Sequence, residues 1–475
     1  MCPPAPIPSK QDNAAADFDA TEILQTRPLS ALRIRGGRVI DPSTNRDEIA
    51  DVVIVDGRTA DADPGDSAEV DATGWIVCPG LMDIHVHLRE PGHTHKETIE
   101  TGTAAAAAGG FTDVACMPNT DPPIDDPTVV RSILDSACAA DHCGVWPIAA
   151  ITRGRAGAVL TDFEALAEAG AVAFSDDGVG VENDAVMLGA FERARAVGLP
   201  LIQHCEYRHL SAGGVMHLGE VSRRLGLAGL DPRSEEAMIE RDIDLCRQSG
   251  GRYHVAHIST ARAVELVRRA KAEGLPVTAE VCTHHLVLTD EACANREPNT
   301  KMHPPLRPES DVTACRAGLL DGTIDCIVTD HAPHTDAEKN VAFEKAPPGI
   351  VGLETALGLA AKAMIDTGLA DWASLVRWFT TGPASVLGNP PPSIRTDGAA
   401  RLTLIDPTRE WIVDPARFIS KSRNTPFAGC SFRGKPVATV RGDRLGTSEG
   451  ALLKAAALGA DNRAVRSRRN RQAGP

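Results

Sequence analysis

Several features that mark other classes of protein are scarce or missing in this sequence. Aromatic residues make up only 4% of the 475 residues, so the core must be built mainly from Ala, Val, Leu and Ile. Twelve cysteines include no C-x-x-C pair, which argues against a disulfide framework or an all-cysteine zinc site. There is neither an apolar run of about 18 residues nor a secretory signal pattern at the N-terminus. We therefore predict a soluble protein of the cytoplasm.

An excess of positive charge is also missing. The formal net charge is -15 at pH 7, which argues against nucleic acid or an anionic membrane as the main partner. An anionic small-molecule substrate remains compatible with this charge, because an active site can be locally cationic.

Strands and helices are predicted to alternate repeatedly through the centre of the chain. Helical patterns cover residues 97–108, 162–169, 234–247 and 260–272. The predicted strands are Leu81–His87, Thr112–Met117, Gly144–Ile151, Ala171–Ser175, Pro200–His204, Tyr253–Ile258, Pro276–Val281 and Thr323–Asp330. Eight strands alternating with helices favour a (β/α)8 TIM-like barrel over an open doubly wound sheet.

Both flanks of this region have short alternating segments with Gly-containing turns, which are typical of antiparallel strands. The simplest architecture is an α/β barrel at 80–394 with a small β-sandwich module built from 30–79 and 395–445. Residues 1–29 are interpreted as a flexible extension and residues 446–475 as a C-terminal tail.

The most informative motif is the pair His85 and His87, which follows an apolar stretch and precedes a loop rich in Pro and Gly. Residues i and i+2 of a strand point to the same face, so the two imidazoles are predicted to emerge together. A lone His-x-His also matches by chance, and a pair of surface histidines is the competing interpretation. Further candidate ligands along the chain decide between a metal-binding pair and a surface pair.

Further candidate ligands lie at the ends of the other predicted barrel strands, at the rim where such barrels hold their active sites. They are Asp176 or Asp177 just after strand 4, His204 at the end of strand 5, His257 near the end of strand 6, and Asp330 at the end of strand 8. Any one of these could be a capping Asp or a hydrogen-bonded His, but together they indicate a metal centre. Imidazole and carboxylate ligands without thiolates suit Zn²⁺ or, less selectively, Mn²⁺, Co²⁺ or Fe²⁺.

This number of ligands exceeds the three or four of a mononuclear catalytic zinc, so a binuclear centre with a bridging group is a second possibility. Strand alternation favours Asp177 as the bridge. Asp177 shares a face with the small residues Ala171, Ala173 and Ser175, whereas Asp176 shares one with the bulky Val172 and Phe174. The bulky face should pack on the outer helices, which leaves Asp177 inward.

The sequence resembles the amidohydrolase superfamily and, within it, the bacterial type I dihydroorotases. The resemblance extends from about residue 32 to 440. The motifs that carry it are 85–92 (HVHLREPG), 117–120 (MPNT), 174–178 (FSDDG), 204–206 (HCE), 257–260 (HIST), 329–334 (TDHAPH), 348–355 (PGIVGLET) and 424–427 (NTPF). Related barrel hydrolases often bridge two metals with a carboxylated lysine, but no lysine occurs here between Lys96 and Lys271.

The resemblance implies the reversible interconversion of N-carbamoyl-L-aspartate and L-dihydroorotate in pyrimidine synthesis. It implies one metal held by His85, His87, Asp177 and Asp330, and a second held by Asp177, His204 and His257. A metal-activated hydroxide would attack the substrate, and Asp330 would act as the general acid and base. Zinc is the expected ion, with one or two per subunit.

The same resemblance assigns the substrate contacts. Arg89 and Asn119 would hold the substrate carboxylate with help from His334, beside His87, while Pro348 and Gly349 would contact the ring through backbone groups. The planar guanidinium of Arg89 suits a carboxylate. His303 departs from the family, since many relatives have Asn there. It can still donate a hydrogen bond to substrate.

Alternative functions remain open. Allantoinase or dihydropyrimidinase is the nearest alternative, but those relatives normally use the lysine bridge and their substrates lack the ring carboxylate. A non-catalytic subunit that scaffolds aspartate carbamoyltransferase is the alternative from another class, although such proteins tend to lose metal ligands. A homo-oligomer or an assembly with aspartate carbamoyltransferase is expected in either case.

Overall fold

The structure, a computed structural model, describes residues 27–28, 30–65 and 67–447. The predicted tails therefore lie almost entirely outside the described residues. The strands, in chain order, are β1 Arg27–Pro28, β2 Ala31–Asp41, β3 Arg46–Val55, β4 Arg58–Ala60, β5 Ala68–Asp71, β6 Ile76–Pro79, β7 Leu81–Val86, β8 Phe111–Cys116, β9 Gly144–Ala149, β10 Ala173–Phe174, β11 Leu201–Gln203, β12 Met216–His217, β13 Gly229–Leu230, β14 Tyr253–Val255, β15 Val277–Cys282, β16 Cys326–Val328, β17 Arg401–Ile412, β18 Ser431–Arg441 and β19 Arg444–Thr447.

The predicted barrel is confirmed, and each of its eight expected strands is present. Strands β7 to β11 and β14 to β16 pair in parallel in chain order. A bridge between Val86 and His331 joins the two ends, with the His87 N–H donating to the His331 carbonyl at 2.9 Å. The observed strands end before most of the candidate ligands, so these side chains lie on the loops that follow the carboxyl ends.

The helices surround this barrel. In chain order they are α1 Ile99–Ala108, α2 Pro127–Ala140, α3 Phe163–Ala169, α4 Asp184–Ala196, α5 Arg208–Ser211, α6 Glu220–Leu225, α7 Arg233–Ser249, α8 Ala261–Ala272, α9 Glu309–Leu320, α10 Asp336–Lys339, α11 Ala356–Ala360, α12 Trp372–Phe379 and α13 Thr381–Leu387. Two predicted helices begin with capping residues, since Asp162 and Thr260 accept hydrogen bonds from the backbone N–H groups of Ala165 and Ala263.

Both flanks of the chain contribute to one β module. Strand β17 pairs with β6, and the hydrogen-bonded order is β1-β19-β18-β17-β6-β2-β3-β4, with β5 beside β2. The nine strands of the predicted sandwich module hydrogen-bond as one continuous sheet, and its two halves share one apolar core. Leu32 and Ile54 from the first flank lie in that core with Leu402 and Val440 from the second.

One observation concerns the predicted boundary between the N-terminal extension and the β module. Strand β1 falls within the segment predicted as a flexible extension and pairs with β19.

Among the described residues, no helix is long and apolar enough to cross a membrane.

Candidate metal centre

An irregularity at the end of β7 determines the direction of the His85 and His87 side chains. Met82 and Ile84 pack in the apolar cluster shared by the barrel strands, whereas Val86 packs in the outer core. The side-chain alternation thus changes between Ile84 and Val86, where the pairing with β8 also shifts. As a result His85 and His87 both turn toward carboxylates at the rim.

Asp177 lies at the centre of the ligand set. Its Oδ1 is 3.4 Å from His85 Nε2, 3.8 Å from His204 Nδ1 and 3.8 Å from His257 Nε2, and its Oδ2 is 3.6 Å from His87 Nε2. Asp176 instead accepts hydrogen bonds from the backbone N–H and the hydroxyl of Thr152. The structure therefore brings Asp177, and not Asp176, to the histidines, as strand alternation had indicated.

Asp330 completes the cluster from the last barrel strand. Its Oδ1 lies 3.0 Å from His87 Nε2 and 3.7 Å from His85 Nε2. On the opposite side of Asp177, His204 Nδ1 and His257 Nε2 face each other at 2.9 Å. All six ligands predicted from the sequence are thus brought together in one place.

Hydrogen bonds to the outer ring nitrogens direct the inner nitrogens toward the centre. His85 Nδ1 lies 2.5 Å from Glu280 Oε1, and His87 Nδ1 lies 2.7 Å from the Asn119 amide oxygen. Because these oxygens accept, each Nδ1 carries a proton and each Nε2 is the nitrogen that faces the carboxylates at the centre. His85 Nε2 is buried and has no hydrogen-bond partner among the described atoms. This donor set fits a divalent ion such as Zn²⁺.

The electrostatics of the cluster also favour a cation. Burial alone would raise the pKa of Asp177, but the imidazoles of His85, His87 and His204 hold it well below its usual range. Burial lowers the pKa of His85, and the charges of Glu280 and Asp177 outweigh this and raise it well above its usual range. A buried positive charge at this position is therefore stabilised by the carboxylates around it.

Three residues of the site have a left-handed backbone although none is glycine. Arg89 has φ 60°, His257 has φ 33° and Asp330 has φ 48°. Such conformations cost of order 1–3 kcal/mol each and persist only where the surrounding structure holds them. All three are predicted site residues. The barrel rim therefore holds the side chains of the site in position at some cost in stability.

A cavity of about 430 Å³ opens onto this cluster. All seven predicted substrate-contacting residues line it: His87, Arg89, Asn119, His303, His334, Pro348 and Gly349. Arg89 is partly buried, and burial lowers its pKa although Asp330 and Asp177 lie nearby. Its Nε donates to the Pro333 carbonyl at 3.2 Å. A cationic group therefore faces the cavity in a chain of net negative charge.

Other cavity groups already have partners. The Asn119 amide N–H donates to Asp177 Oδ2 at 3.1 Å, so this side chain joins two candidate ligands as well as facing the cavity. His334 Nε2 donates to the Pro348 carbonyl at 3.0 Å, and its buried Nδ1 has no hydrogen-bond partner among the described atoms. Burial and the nearby Arg89 lower the pKa of His334 to about 3, so its ring is neutral.

His303 interacts with a residue that the sequence did not single out. Its Nε2 lies 2.9 Å from Glu206 Oε2, and its ring stacks on His204 with the centroids 5.1 Å apart. The same Glu206 oxygen is 3.3 Å from His204 Nε2. Glu206 lies in the HCE motif but its role depends on His303, almost 100 residues away, and only the fold brings the two together.

Glu280 and Asp83 are the other residues that sequence reasoning missed. Glu280 accepts from His85, from His254 Nε2 at 3.1 Å and from the His257 backbone N–H at 3.2 Å. Asp83 accepts from the Thr329 hydroxyl at 2.5 Å, and burial raises its pKa to about 7. Each is an acidic residue within a mainly apolar barrel strand, and that pattern could have pointed to both from the sequence.

Comparisons with known proteins are consistent with this geometry. A family described as "Dihydro-orotase-like" matches residues 74–263. The chain is 50% identical to the dihydroorotase of Pelotomaculum thermopropionicum over 87% of this chain and 98% of that protein. It is also 50% identical to the dihydroorotase of Solibacter usitatus, over 86% and 96% of the two chains.

Solved structures show the same fold at lower identity. L-hydantoinase (dihydropyrimidinase) from Arthrobacter aurescens has a TM-score of 0.76 and 24% identity, covering 86% of this chain and 94% of that one. Dihydropyrimidinase from Brevibacillus agri has a TM-score of 0.73 and 22% identity, covering 89% and 97%. At these identities the likeness concerns the fold alone.

Proposed function

The chain belongs to the dihydroorotase family, and from that premise we propose that it interconverts N-carbamoyl-L-aspartate and L-dihydroorotate. It is a metal-dependent cyclic amidohydrolase. The observation that carries the assignment is that all the predicted metal ligands except His85 line the same cavity as the cationic Arg89 and its neighbours Asn119 and His334. The finer assignment, to the bacterial type I dihydroorotases, rests on the motifs around His85, Asp177 and Asp330.

The metal is proposed to be Zn²⁺, with one or two ions per subunit. His85, His87 and Asp330 would hold one ion, His204 and His257 the other, and Asp177 would contribute to both. When bound, a divalent ion supplies Lewis-acid polarisation of the attacked carbonyl and lowers the pKa of water. The buried His85 Nε2, which has no hydrogen-bond partner among the described atoms, supports this assignment.

Asp330 is proposed as the general acid and base. In the hydrolytic direction it takes a proton from the attacking water and delivers one to the ring nitrogen as the amide C–N bond breaks. In the direction of cyclisation the same carboxylate reverses both transfers. Its left-handed backbone and its contact with His87 hold the carboxylate at the mouth of the cavity.

The substrate carboxylate is assigned to Arg89 and Asn119, assisted by the neutral His334. A guanidinium fork that is partly shielded from water, as that of Arg89 is, binds a carboxylate more strongly than a fully exposed one does, since less solvent competes. His303 is proposed to donate to the substrate from the opposite wall, and Pro348 and Gly349 to contact the ring through their backbone. We further propose a cytoplasmic homo-oligomer, with aspartate carbamoyltransferase as a candidate partner.

The test is the rate of L-dihydroorotate hydrolysis by protein of measured metal content, with allantoin and dihydrouracil as controls. We expect turnover of L-dihydroorotate alone, and a loss of about 100-fold or more in Asp330→Ala. Asp336→Ala is the matched control, because it removes an exposed carboxylate six residues away. No turnover by fully metallated protein would favour the scaffold alternative, whereas turnover of allantoin or dihydrouracil would favour another cyclic amidohydrolase.

A further inference from the structure

Two lysines with little exposure hold the loop that ends in Pro348 and Gly349. Lys339 is 5% exposed and Lys301 is 9% exposed. Burying an ammonium group costs free energy unless its N–H groups form hydrogen bonds with acceptors. Both lysines meet that condition through backbone carbonyls of residues 343–349 and not through carboxylates.

The two lysines form hydrogen bonds with different parts of this loop. Lys339 Nζ donates to the carbonyls of Pro347 at 2.9 Å and Gly349 at 3.0 Å. Lys301 Nζ donates to the carbonyls of Phe343 at 3.2 Å and Glu344 at 3.0 Å. The Gly349 N–H in turn donates to the Lys301 carbonyl at 2.8 Å. The cavity end of the loop therefore depends on Lys339 and its beginning on Lys301.

The backbone at Gly349 has little freedom to adopt another position. Its φ is 104°, and a Cβ there would lie 2.6 Å from the Cβ of Ala332. Ala332 itself lies two residues after Asp330, so the loop packs directly against the segment that carries the proposed general base. The Asn424 amide also donates to the Gly349 carbonyl at 3.2 Å. A shift of this loop would therefore change the part of the cavity wall that Pro348 and Gly349 form.

We propose that Lys339 is a positioning residue for substrate binding, which holds Pro348 and Gly349 at the cavity wall through its two charge-assisted hydrogen bonds. This inference rests on the proposed function, since it concerns the binding of L-dihydroorotate. Lys339 does not line the cavity and touches none of the candidate metal ligands. Its effect is therefore on the affinity for substrate and not on the chemical step.

The experiment compares Lys339→Met with Lys345→Met in the full-length, metallated protein. Methionine is as long as the aliphatic part of the lysine side chain but donates no hydrogen bond. Lys345 is an exposed lysine of the same loop, so its replacement removes the same charge without removing a tie to the cavity wall. The measurements are KM and kcat for L-dihydroorotate, bound metal per chain, and the thermal unfolding midpoint.

For Lys339→Met we expect KM to rise about tenfold, which corresponds to about 1.4 kcal/mol. kcat and metal content should stay within about twofold of those of the unmodified protein, and Lys345→Met should match the unmodified protein throughout. If Lys339→Met does not fold, Lys339→Ala removes the same donors while leaving room for water, and the same rise in KM is expected.

A folded Lys339 variant with an unchanged KM would overturn the inference. An equal rise in KM for Lys345→Met would overturn it too, because the effect would then be one of charge in general. A fall in kcat with KM unchanged would also contradict a positioning role in binding. If the unmodified protein does not turn over L-dihydroorotate, the proposed function fails, and this inference fails with it.

Discussion

The two halves of the candidate metal centre differ in how their histidines are held. In one half, His85 donates to Glu280, which is completely buried, and His87 donates to Asn119. In the other half, His204 relies on Glu206, which lines the cavity and is shared with the partly exposed His303. His257 Nδ1 has no hydrogen-bond partner among the described atoms.

This difference indicates that His85, whose carboxylate partner is completely buried, is held from the barrel interior, whereas His204 is held from the cavity wall. Replacing a group that orients a metal-binding histidine typically weakens metal binding by about 10- to 100-fold. A buried partner such as Glu280 cannot be replaced by water, whereas water can replace part of what Glu206 provides. We therefore expect the two halves to respond unequally when their supporting carboxylates are removed.

The largest effect is expected for Asp177→Asn, which removes the carboxylate common to both halves. The variant should lose bound metal from both, and activity should fall about 1,000-fold or more. Asp176→Asn is the matched control, because Asp176 binds Thr152 and not the histidines. Metal content measured after dialysis distinguishes them, and equal losses in the two variants would contradict the central position of Asp177.

Glu280→Gln should have the next largest effect. Burial would raise the pKa of Glu280, but His85 and His254 hold it below its usual range, so the carboxylate is ionised and stabilises the ligand His85. Its replacement should weaken binding of the first metal about 10- to 100-fold. Competition with a metal chelator measures this affinity. An unchanged affinity would mean that strand geometry alone holds His85.

Glu206→Gln should weaken metal binding less than Glu280→Gln does, by about tenfold or below. Burial would raise the pKa of Glu206, but the hydrogen bonds from His204 and His303 hold it well below its usual range. The variant loses this charge on a side chain that water can reach. Chelator competition under the same conditions tests the ranking, and a loss larger than that of Glu280→Gln would reverse the comparison.

How much of this could be read from the sequence depends on how far apart the interacting residues are. The barrel strands, the ligand positions and the inward direction of Asp177 follow from local alternation and from the place of each residue after a strand. The partnership of Glu206 with His303, and that of Lys339 with Gly349, depend on loop paths that no local pattern specifies. The composite β module of the two flanks was predicted from their similar patterns, but the specific pairing of β17 with β6, more than 300 residues earlier, was not.

The smallest effect is expected for His303→Asn, which restores the residue that many relatives have at this position. The change removes the ring that stacks on His204 but leaves Glu206 beside His204. Metal affinity should therefore stay within about twofold, while KM for L-dihydroorotate changes about two- to fivefold because an amide donor replaces an imidazole. Steady-state kinetics and chelator competition test the two expectations separately. A loss of metal comparable to that of Glu206→Gln would show that His303 itself supports the second half of the centre.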